Sequence, residues 1–249
     1  MRRSTRRYRR SSCVGVGLAL VLGGVASARE PQTTPTPGMH QPDDATVRHA
    51  FDDVPHWQAV LDDPARDAWQ KPAALVQALG IRPGMTVADL GAGTGYFSRY
   101  LSAAVGDKGT VLAVDPEVKL VSHLRDRAEK DGTANVVPIL ASLDNPRLPA
   151  GAVDLVLIVN TVHHIDARTD YFRRLQRALQ PGGRVAIVDY KKEPLPVGPP
   201  PAHKLAPEQV SAELGAAGYR LVDRPDVLPY QYVLVFAPEG AAGPSQRGP

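Results

Sequence analysis

The chain has little cysteine, no long apolar run and no surplus of charge of one sign. Its only cysteine is Cys13, so the rest of the chain can form no disulfide, thiolate metal site or cysteine nucleophile. Its longest apolar stretch, residues 14–26, is shorter than the roughly 20 residues that a membrane span needs. Of 29 Lys and Arg residues, six arginines precede Arg29, which leaves 23 basic against 26 acidic residues, a net of −3. No basic face for nucleic acid is therefore expected.

Residues 1–28 are interpreted as a secretory signal peptide. An arginine-rich start is followed by the apolar stretch and by Ala26-Ser27-Ala28, an A-x-A cleavage signal. This predicts an exported, periplasmic protein or one attached to the inner membrane, which leaves membrane proximity through the leader open. A mis-called start codon would instead leave the protein in the cytoplasm. Residues 29–45 are predicted to be a disordered linker, 46–237 a single domain and 238–249 a disordered tail.

From Pro72 onward, short apolar runs alternate with amphipathic stretches. Short, nearly continuous apolar runs are typical of parallel strands buried on both faces. Their alternation with helices predicts an α/β, doubly wound, Rossmann-like sheet. Aromatic residues and Asp-Pro breaks at 47–69 predict a helical cap before it. The predicted strands are Thr86–Leu90, Thr110–Asp115, Asn135–Ala141, Val153–Asn160 and Arg184–Asp189, with Tyr219–Asp223 and Tyr230–Ala237 as an antiparallel pair.

A glycine-rich turn joins the first predicted strand to the first predicted helix. Its glycines, Gly91, Gly93 and Gly95, have the spacing G-x-G-x-G, which allows a tight turn and close approach of a ligand. A dinucleotide site prefers G-x-G-x-x-G, because a pyrophosphate sits on the helix, and Tyr96 breaks that spacing. Asp89 precedes the turn; it would repel a pyrophosphate but could bind an ammonium group, or it could cap the loop.

Asp115 ends the second predicted strand, 24 residues after Gly91. An acid at this point can accept hydrogen bonds from both hydroxyls of a ribose. A ribose acceptor and an ammonium acceptor without pyrophosphate spacing fit S-adenosylmethionine (SAM).

With these motifs the sequence resembles the class I SAM-dependent methyltransferases over residues 72–237. Asp89–Gly95 is similar to the family's first motif, Asp115 to its ribose acid, and Leu179–Arg184 to its L-x-P-G-G turn. The resemblance implies a seven-stranded sheet and SAM as cofactor. The implied cofactor-binding residues are Asp89, Gly91, Ala92, Gly93, Thr94, Gly95, Asp115 and Pro116, with Ser142, Leu143 and Asp144 at the adenine and Asn160 near the methyl group.

Four side chains near the ends of the fourth and fifth strands are candidates for catalysis. His163, His164 and His203 could act as a general base, and Tyr190 could form a wall of the methyl-transfer pocket. The alternative for each histidine is core packing or exposure to solvent. No histidine pair in the chain has metal-ligand spacing, so no metal site is predicted.

The resemblance implies methyl transfer to a small-molecule or lipid-like acceptor, by analogy with methyltransferases of quinone biosynthesis. Three alternatives stay open. The chain could be a SAM-binding module without catalysis, a nucleotide-dependent oxidoreductase, or an exported structural protein with a relic fold.

Overall fold

A seven-stranded sheet forms the centre of the protein. In the computed structural model, residues 53–240 are described; the predicted signal peptide and linker, and most of the predicted tail, lie outside them. The strand order is β3-β2-β1-β4-β5-β7-β6, with β1–β5 parallel and β7 antiparallel to both its neighbours. The strands are β1 (Thr86–Leu90), β2 (Thr110–Asp115), β3 (Val136–Leu140), β4 (Val153–Val159), β5 (Leu179–Tyr190), β6 (Tyr219–Asp223) and β7 (Gln231–Pro238).

Helices cover both faces of this sheet. One apolar core lies between the sheet and the helices that precede and follow β1, and a second lies under the last two helices. Neighbouring residues of β1 enter opposite cores, since Val87 packs in the first and Ala88 in the second. The helices are α1 (Val54–Leu61), α2 (Asp67–Gln70), α3 (Pro72–Ala78), α4 (Tyr96–Val105), α5 (Val118–Lys130), α6 (Arg168–Leu175) and α7 (Pro207–Ala216).

The expected doubly wound, seven-stranded architecture with an N-terminal helical cap is confirmed. The predicted bounds of β1 and β2 hold to the residue. The fifth strand differs most, because β5 begins at Leu179 and includes the predicted L-x-P-G-G turn. Leu179 pairs with Val153, and a register shift follows before Leu155 pairs with Arg184. The turn is therefore an irregular start of the strand.

The order of the strands reverses between β1 and β4, because β2 and β3 lie on one side of β1 and β4 and β5 lie on the other. In open α/β sheets a ligand binds in the crevice outside the carboxyl ends of the strands at such a point. The loop after β1 and the loop after β4 meet there. Among residues 53–240, no helix is long and apolar enough to cross a membrane.

Candidate functional site

The glycine-rich loop after β1 is folded tightly against the ends of β2 and β4. The amides of Gly91 and Ala92 both donate to the carbonyl of Val114, at 2.8 and 3.0 Å. The loop's three glycines all have positive φ, from +57° to +89°, a region that other residues rarely adopt. A Cβ on Gly91 would lie 2.4 Å from Oγ1 of Thr161. Glycine at this position therefore lets the two loops of the switch point touch.

Asp115, the predicted ribose acid, is bound to this loop. Its Oδ2 accepts from the Gly93 amide at 2.9 Å and its Oδ1 from the Glu117 amide at 3.0 Å. Burial raises its pKa to about 6, although both backbone amides act to lower it. Each carboxylate oxygen has room for a second hydrogen bond. The carboxylate can therefore hold the loop and still accept from two ribose hydroxyls.

Asp89 lies beneath the start of α4. Its Oδ2 accepts from the Ser98 hydroxyl at 2.7 Å, and only 3% of the residue is exposed. Burial raises its pKa to about 6, and Asp115 adds to this while Ser98 opposes it. A pyrophosphate on the N-terminus of α4 would meet this buried carboxyl, which disfavours a dinucleotide there. The contact ties Asp89 to α4; binding of a ligand and capping of the loop both stay predictions.

The cap is fastened onto the loop by a group we term the cap clasp, formed by Asp62, Thr94 and Arg127. Arg127 Nη1 lies 2.7 Å from Asp62 Oδ2 and donates to the Thr94 carbonyl at 2.8 Å. The Thr94 hydroxyl donates to Asp62 Oδ1 at 3.0 Å. Next to the clasp, Leu61 Cδ1 would lie 3.2 Å from a Cβ on Gly93. The end of α1 thus covers the glycine loop.

Gln70, in α2, supplies a buried donor with no partner among the described residues. The residue is fully buried and its Nε2 makes no hydrogen bond, while its Oε1 accepts from Nε of Arg66 at 2.8 Å. The Arg66 guanidinium lies 4.2 Å from the centre of the Tyr96 ring at the start of α4. An unpaired buried amide is costly. A carboxylate bound between the cap and the loop would satisfy it.

A second polar group, the rim cluster, joins the ends of three strands through Asn160, Tyr190 and Gln231. Asn160 Nδ2 donates to Tyr190 Oη at 3.2 Å, and Gln231 Nε2 donates to Asn160 Oδ1 at 2.7 Å. Asn160 has φ of +52°, which asparagine tolerates better than most residues. Oε1 of Gln231 is buried and has no hydrogen-bond partner among the described residues. Within residues 53–240 the cluster therefore leaves one acceptor without a partner, at the start of β7.

Aromatic rings and a lysine surround Tyr190. Its ring centre lies 6.0 Å from that of Trp69, which in turn is 6.4 Å from Tyr230. Lys204, 2% exposed, places Nζ 5.7 Å from the Tyr190 ring and donates to the Glu193 carbonyl at 2.8 Å. Burial lowers the pKa of Lys204, and the charges of Glu193 and Asp189 oppose that shift. The rim thus combines aromatic surface with positive charge.

His163 pairs with a carboxylate at the end of β5. Its Nδ1 lies 2.8 Å from Oδ2 of Asp189, and 6% and 1% of the two side chains are exposed. The other Asp189 oxygen accepts from the Tyr190 amide at 2.8 Å. His164 is exposed with its ring 4.2 Å from that of His163. His203 lies partly buried in a short turn of the proline-rich loop.

The residues predicted at the adenine lie on a turn after β3. Ser142 donates to Asp144 Oδ1 at 2.8 Å, and Arg174 donates to the Asp144 carbonyl at 2.9 Å. Leu143 is 52% exposed, and Pro116 is exposed where the chain enters α5. The structure thus brings the loop, Asp115 and the rim together and leaves the adenine residues on an open edge. In residues 53–240, no His, Cys, Asp and Glu side chains cluster as a metal site would require.

Among the site residues that sequence reasoning missed are Asp62, Arg127, Asp189 and Gln70. Asp189 is the one acid of β5 and lies near the carboxyl end of this apolar strand. That position in the sequence was a usable signal. The other three depend on how the cap and α5 meet the loop. A contact such as Asp62 to Arg127 spans 65 positions of sequence and leaves no local pattern.

The comparisons with known proteins agree with this geometry. A family model described as "Methyltransferase domain" matches residues 87–183. A SAM-dependent methyltransferase from Aquifex aeolicus is 31% identical, with a TM-score of 0.70 over 74% of this chain and 97% of that one. A TehB-like SAM-dependent methyltransferase from Corynebacterium glutamicum, 19% identical with a TM-score of 0.55 over 74% of this chain and 99% of that one, shares the fold.

A doubly wound sheet with a glycine loop, a buried acid at the end of its second strand and a covering cap is typical of a nucleoside-binding α/β protein. The chain belongs to the SAM-dependent methyltransferase family, and SAM is its cofactor. Asp115 would hold the ribose and Gln70 the carboxylate. Curated relatives include the ubiquinone/menaquinone biosynthesis C-methyltransferase of Ectopseudomonas mendocina, 30% identical over 118 residues, or 47% of this chain and 46% of that protein. The chain spans about half the length of the curated relatives it matches.

Proposed function

We propose that the protein transfers the methyl group of SAM to a small, hydroxylated aromatic acceptor of the quinol type. The observation that carries this is the position of the rim cluster, next to the loop that touches Gly91 through Thr161. A donor bound on the glycine loop and an acceptor held at the rim would be neighbours. Bound SAM supplies an electrophilic methyl group on a sulfonium, so the protein mainly has to align the two molecules.

The rim's chemistry supports an aromatic acceptor. Trp69, Tyr190 and Tyr230 offer ring faces for stacking at centre distances of 6.0 and 6.4 Å. Gln231 Oε1, which has no hydrogen-bond partner in the part of the chain that the structure describes, could accept from a hydroxyl group. Lys204 adds positive charge near Tyr190, which would favour an acceptor that gains negative charge. The named activity of the curated relatives, C-methylation in quinone biosynthesis, is of the same kind.

The test measures cofactor binding and transfer separately. SAM binding to the full-length chain is followed by calorimetry, and transfer by the methyl-labelled product formed from SAM and 1,4-naphthohydroquinone. We expect binding in the micromolar range, about −8 kcal/mol, and transfer to the aromatic diol but not to cyclohexanediol. SAM binding without transfer to any hydroxylated aromatic compound would favour the non-catalytic binding module. Absence of SAM binding by the folded protein would contradict the proposal as a whole.

We also propose that residues 1–28 direct the protein out of the cytoplasm. The arginine-rich start and the A-x-A site support this. Cell fractionation with N-terminal sequencing tests it: a periplasmic protein beginning at Arg29 is expected. An intact N-terminus in the cytoplasmic fraction would contradict export.

A further inference from the structure

We infer that His163 is the base that takes a proton from the methyl acceptor and that Asp189 positions it. The inference rests on the proposed function and deepens it, since it states what kind of acceptor the site requires. Its basis is the buried pair of His163 Nδ1 and Asp189 Oδ2, 2.8 Å apart. It lies where the loop after β4 and the end of β5 meet, beside the rim cluster.

The hydrogen bond fixes which nitrogen of the ring is the base. An ionised carboxylate only accepts, so Nδ1 carries the proton and Nε2 of the neutral ring keeps its lone pair. The Asp189 carboxylate is itself held, because its second oxygen accepts from the Tyr190 amide at 2.8 Å. The ring therefore has one orientation and one tautomer, as in other histidine bases oriented by a carboxylate.

The surroundings of the pair hold the ring against its carboxylate. Asp189 is 1% exposed, so little water competes with the ring for its carboxylate oxygens. Titratable groups near the pair include Lys204 and Tyr232, which interact electrostatically with Asp189, Tyr190, whose amide donates to Asp189, and His164, whose ring adjoins His163.

The location of the pair ties it to the acceptor. His163 stands three residues after Asn160 and two after Thr161, the residue that meets the glycine loop at Gly91. Asp189 directly precedes Tyr190, whose hydroxyl is bonded to Asn160 at 3.2 Å. Both partners thus adjoin the rim cluster through the chain itself.

A base at this point defines the class of acceptor. The acceptor must carry a removable proton, on a phenolic oxygen or on a ring carbon activated by a hydroxyl group. On a phenolic oxygen, the O–H proton would go to Nε2 and the freed electron pair would form the bond to the methyl carbon. On a ring carbon activated by a hydroxyl group, the π electrons of the ring would form that bond, and the proton on this carbon would then go to Nε2, which restores the aromatic ring. In both cases the electron pair of the broken carbon–sulfur bond stays on the sulfur of SAM. A tertiary amine or a thioether has no such proton and would gain nothing from His163.

The experiment compares His163→Gln, Asp189→Asn and, as a control on α5, His123→Gln in the full-length chain. Turnover of 1,4-naphthohydroquinone is measured from about pH 5 to about pH 9, beside SAM affinity by calorimetry. We expect His163→Gln to lower kcat by about 10²- to 10⁴-fold, the usual contribution of a general base, with SAM affinity kept within about twofold. Asp189→Asn should lower kcat and move the acidic limb of the pH profile, and His123→Gln should change neither.

A second readout does not depend on turnover. Nitrogen-15 NMR of histidine-labelled, SAM-free protein should show His163 as the Nδ1–H tautomer, and Asp189→Asn should redistribute the proton between the two nitrogens. Turnover of His163→Gln within about threefold of wild type would overturn only the role of His163 as the base. Loss of activity in His164→Gln, with His163→Gln unaffected, would overturn the same role. An unchanged tautomer and pH profile in Asp189→Asn would overturn the positioning role. Failure of the wild type to methylate any aromatic diol would instead overturn the proposed function.

Discussion

Asp62 and Arg127 lie 65 positions apart in the sequence, and their side chains meet at 2.7 Å over the glycine loop. The pair is only partly exposed, at 13% and 19% of the side chains. Arg127 also donates to the Thr94 carbonyl. One arginine thus holds both the cap and the loop that it covers.

Breaking the cap clasp should weaken SAM binding more than it weakens the fold. We expect Arg127→Met to lower SAM affinity by about threefold to tenfold and to cost about 1 kcal/mol of unfolding free energy, as for a partly exposed ion pair. Calorimetry and urea unfolding measure the two effects. The matched control is Arg173→Met, whose pair with Asp170 is more than half exposed and should matter little. Equal losses in both variants would contradict a role of the clasp at the loop.

Gly91→Ala should disrupt the switch point beyond the strain of its backbone. Its φ is +78°, and the new Cβ would lie 2.4 Å from Thr161. Gly84→Ala provides the control, because Gly84 has a similar φ of +86° and the new Cβ would meet no atom of residues 53–240 within 4 Å. We expect about 1 kcal/mol of destabilisation for Gly84→Ala and about 1–3 kcal/mol more for Gly91→Ala, with SAM binding lost only in the latter. Thermal unfolding and calorimetry test this; similar behaviour of the two variants would contradict it.

The buried acids predict opposite pH trends for stability and for SAM affinity. Asp89 and Asp115 have folded pKa values of about 6 against an ordinary 3.8. Between those values the folded protein holds protons that the unfolded chain has released, so unfolding free energy falls as pH rises from about 4 to about 6. SAM affinity should rise over the same range, because ribose hydroxyls donate to an ionised Asp115.

Unfolding and SAM titrations at about pH 4.5 to about pH 7.5 check both trends. Asp89→Asn should reduce the dependence of unfolding free energy on pH by the contribution of about one proton. The predicted contact between Asp115 and the ribose should stay intact. Asp115→Asn should remove a similar slope and also lower SAM affinity by about tenfold or more. If the unfolding free energy still falls with pH after both substitutions, groups other than Asp89 and Asp115 are titrating in this range.

Gln70 should distinguish SAM from decarboxylated SAM. Gln70→Glu keeps an oxygen for Arg66 and replaces the unpaired amide with a second, negatively charged oxygen. We expect the wild type to prefer SAM by about tenfold, or about 1.4 kcal/mol, and Gln70→Glu to lose that preference. Competition binding of the two nucleosides measures the ratio. A wild type that binds both equally would remove Gln70 from the carboxylate position.

The fold was predictable because each strand of the sheet centre is a short run of apolar residues. Val87–Leu90 and Val111–Val114 are buried, and burial on both faces leaves the same signature in the sequence. The edge strand β3 was predicted one residue too long at each end, since its residues are only partly buried and the pattern fades. The start of β5 was read as a turn because Pro181, Gly182 and Gly183 are turn residues; pairing of Leu179 with Val153 overrides them.

The site was predictable where it depends on spacing along the chain and hidden where it depends on packing. Asp115 and the glycines follow from their positions at strand ends, and the structure joins them through the Gly93 amide. Lys204 shows the limit: it adjoins the predicted candidate His203, yet the lysine is the more buried of the two. Burial of a cation in a proline-rich loop requires Glu193 and Tyr190 around it, which no local pattern reveals.

The cap clasp also has a consequence for how the protein opens. The cap is held to the loop and to α4 by side-chain contacts, whereas the sheet beneath it is closed by backbone hydrogen bonds. Segments with few buried apolar contacts can detach while the rest of a domain stays folded. A protease added to the native protein should therefore cut near residues 61–66 well before it cuts within the sheet. Saturating SAM should slow that cut, because SAM bound on the glycine loop would hold the cap closed.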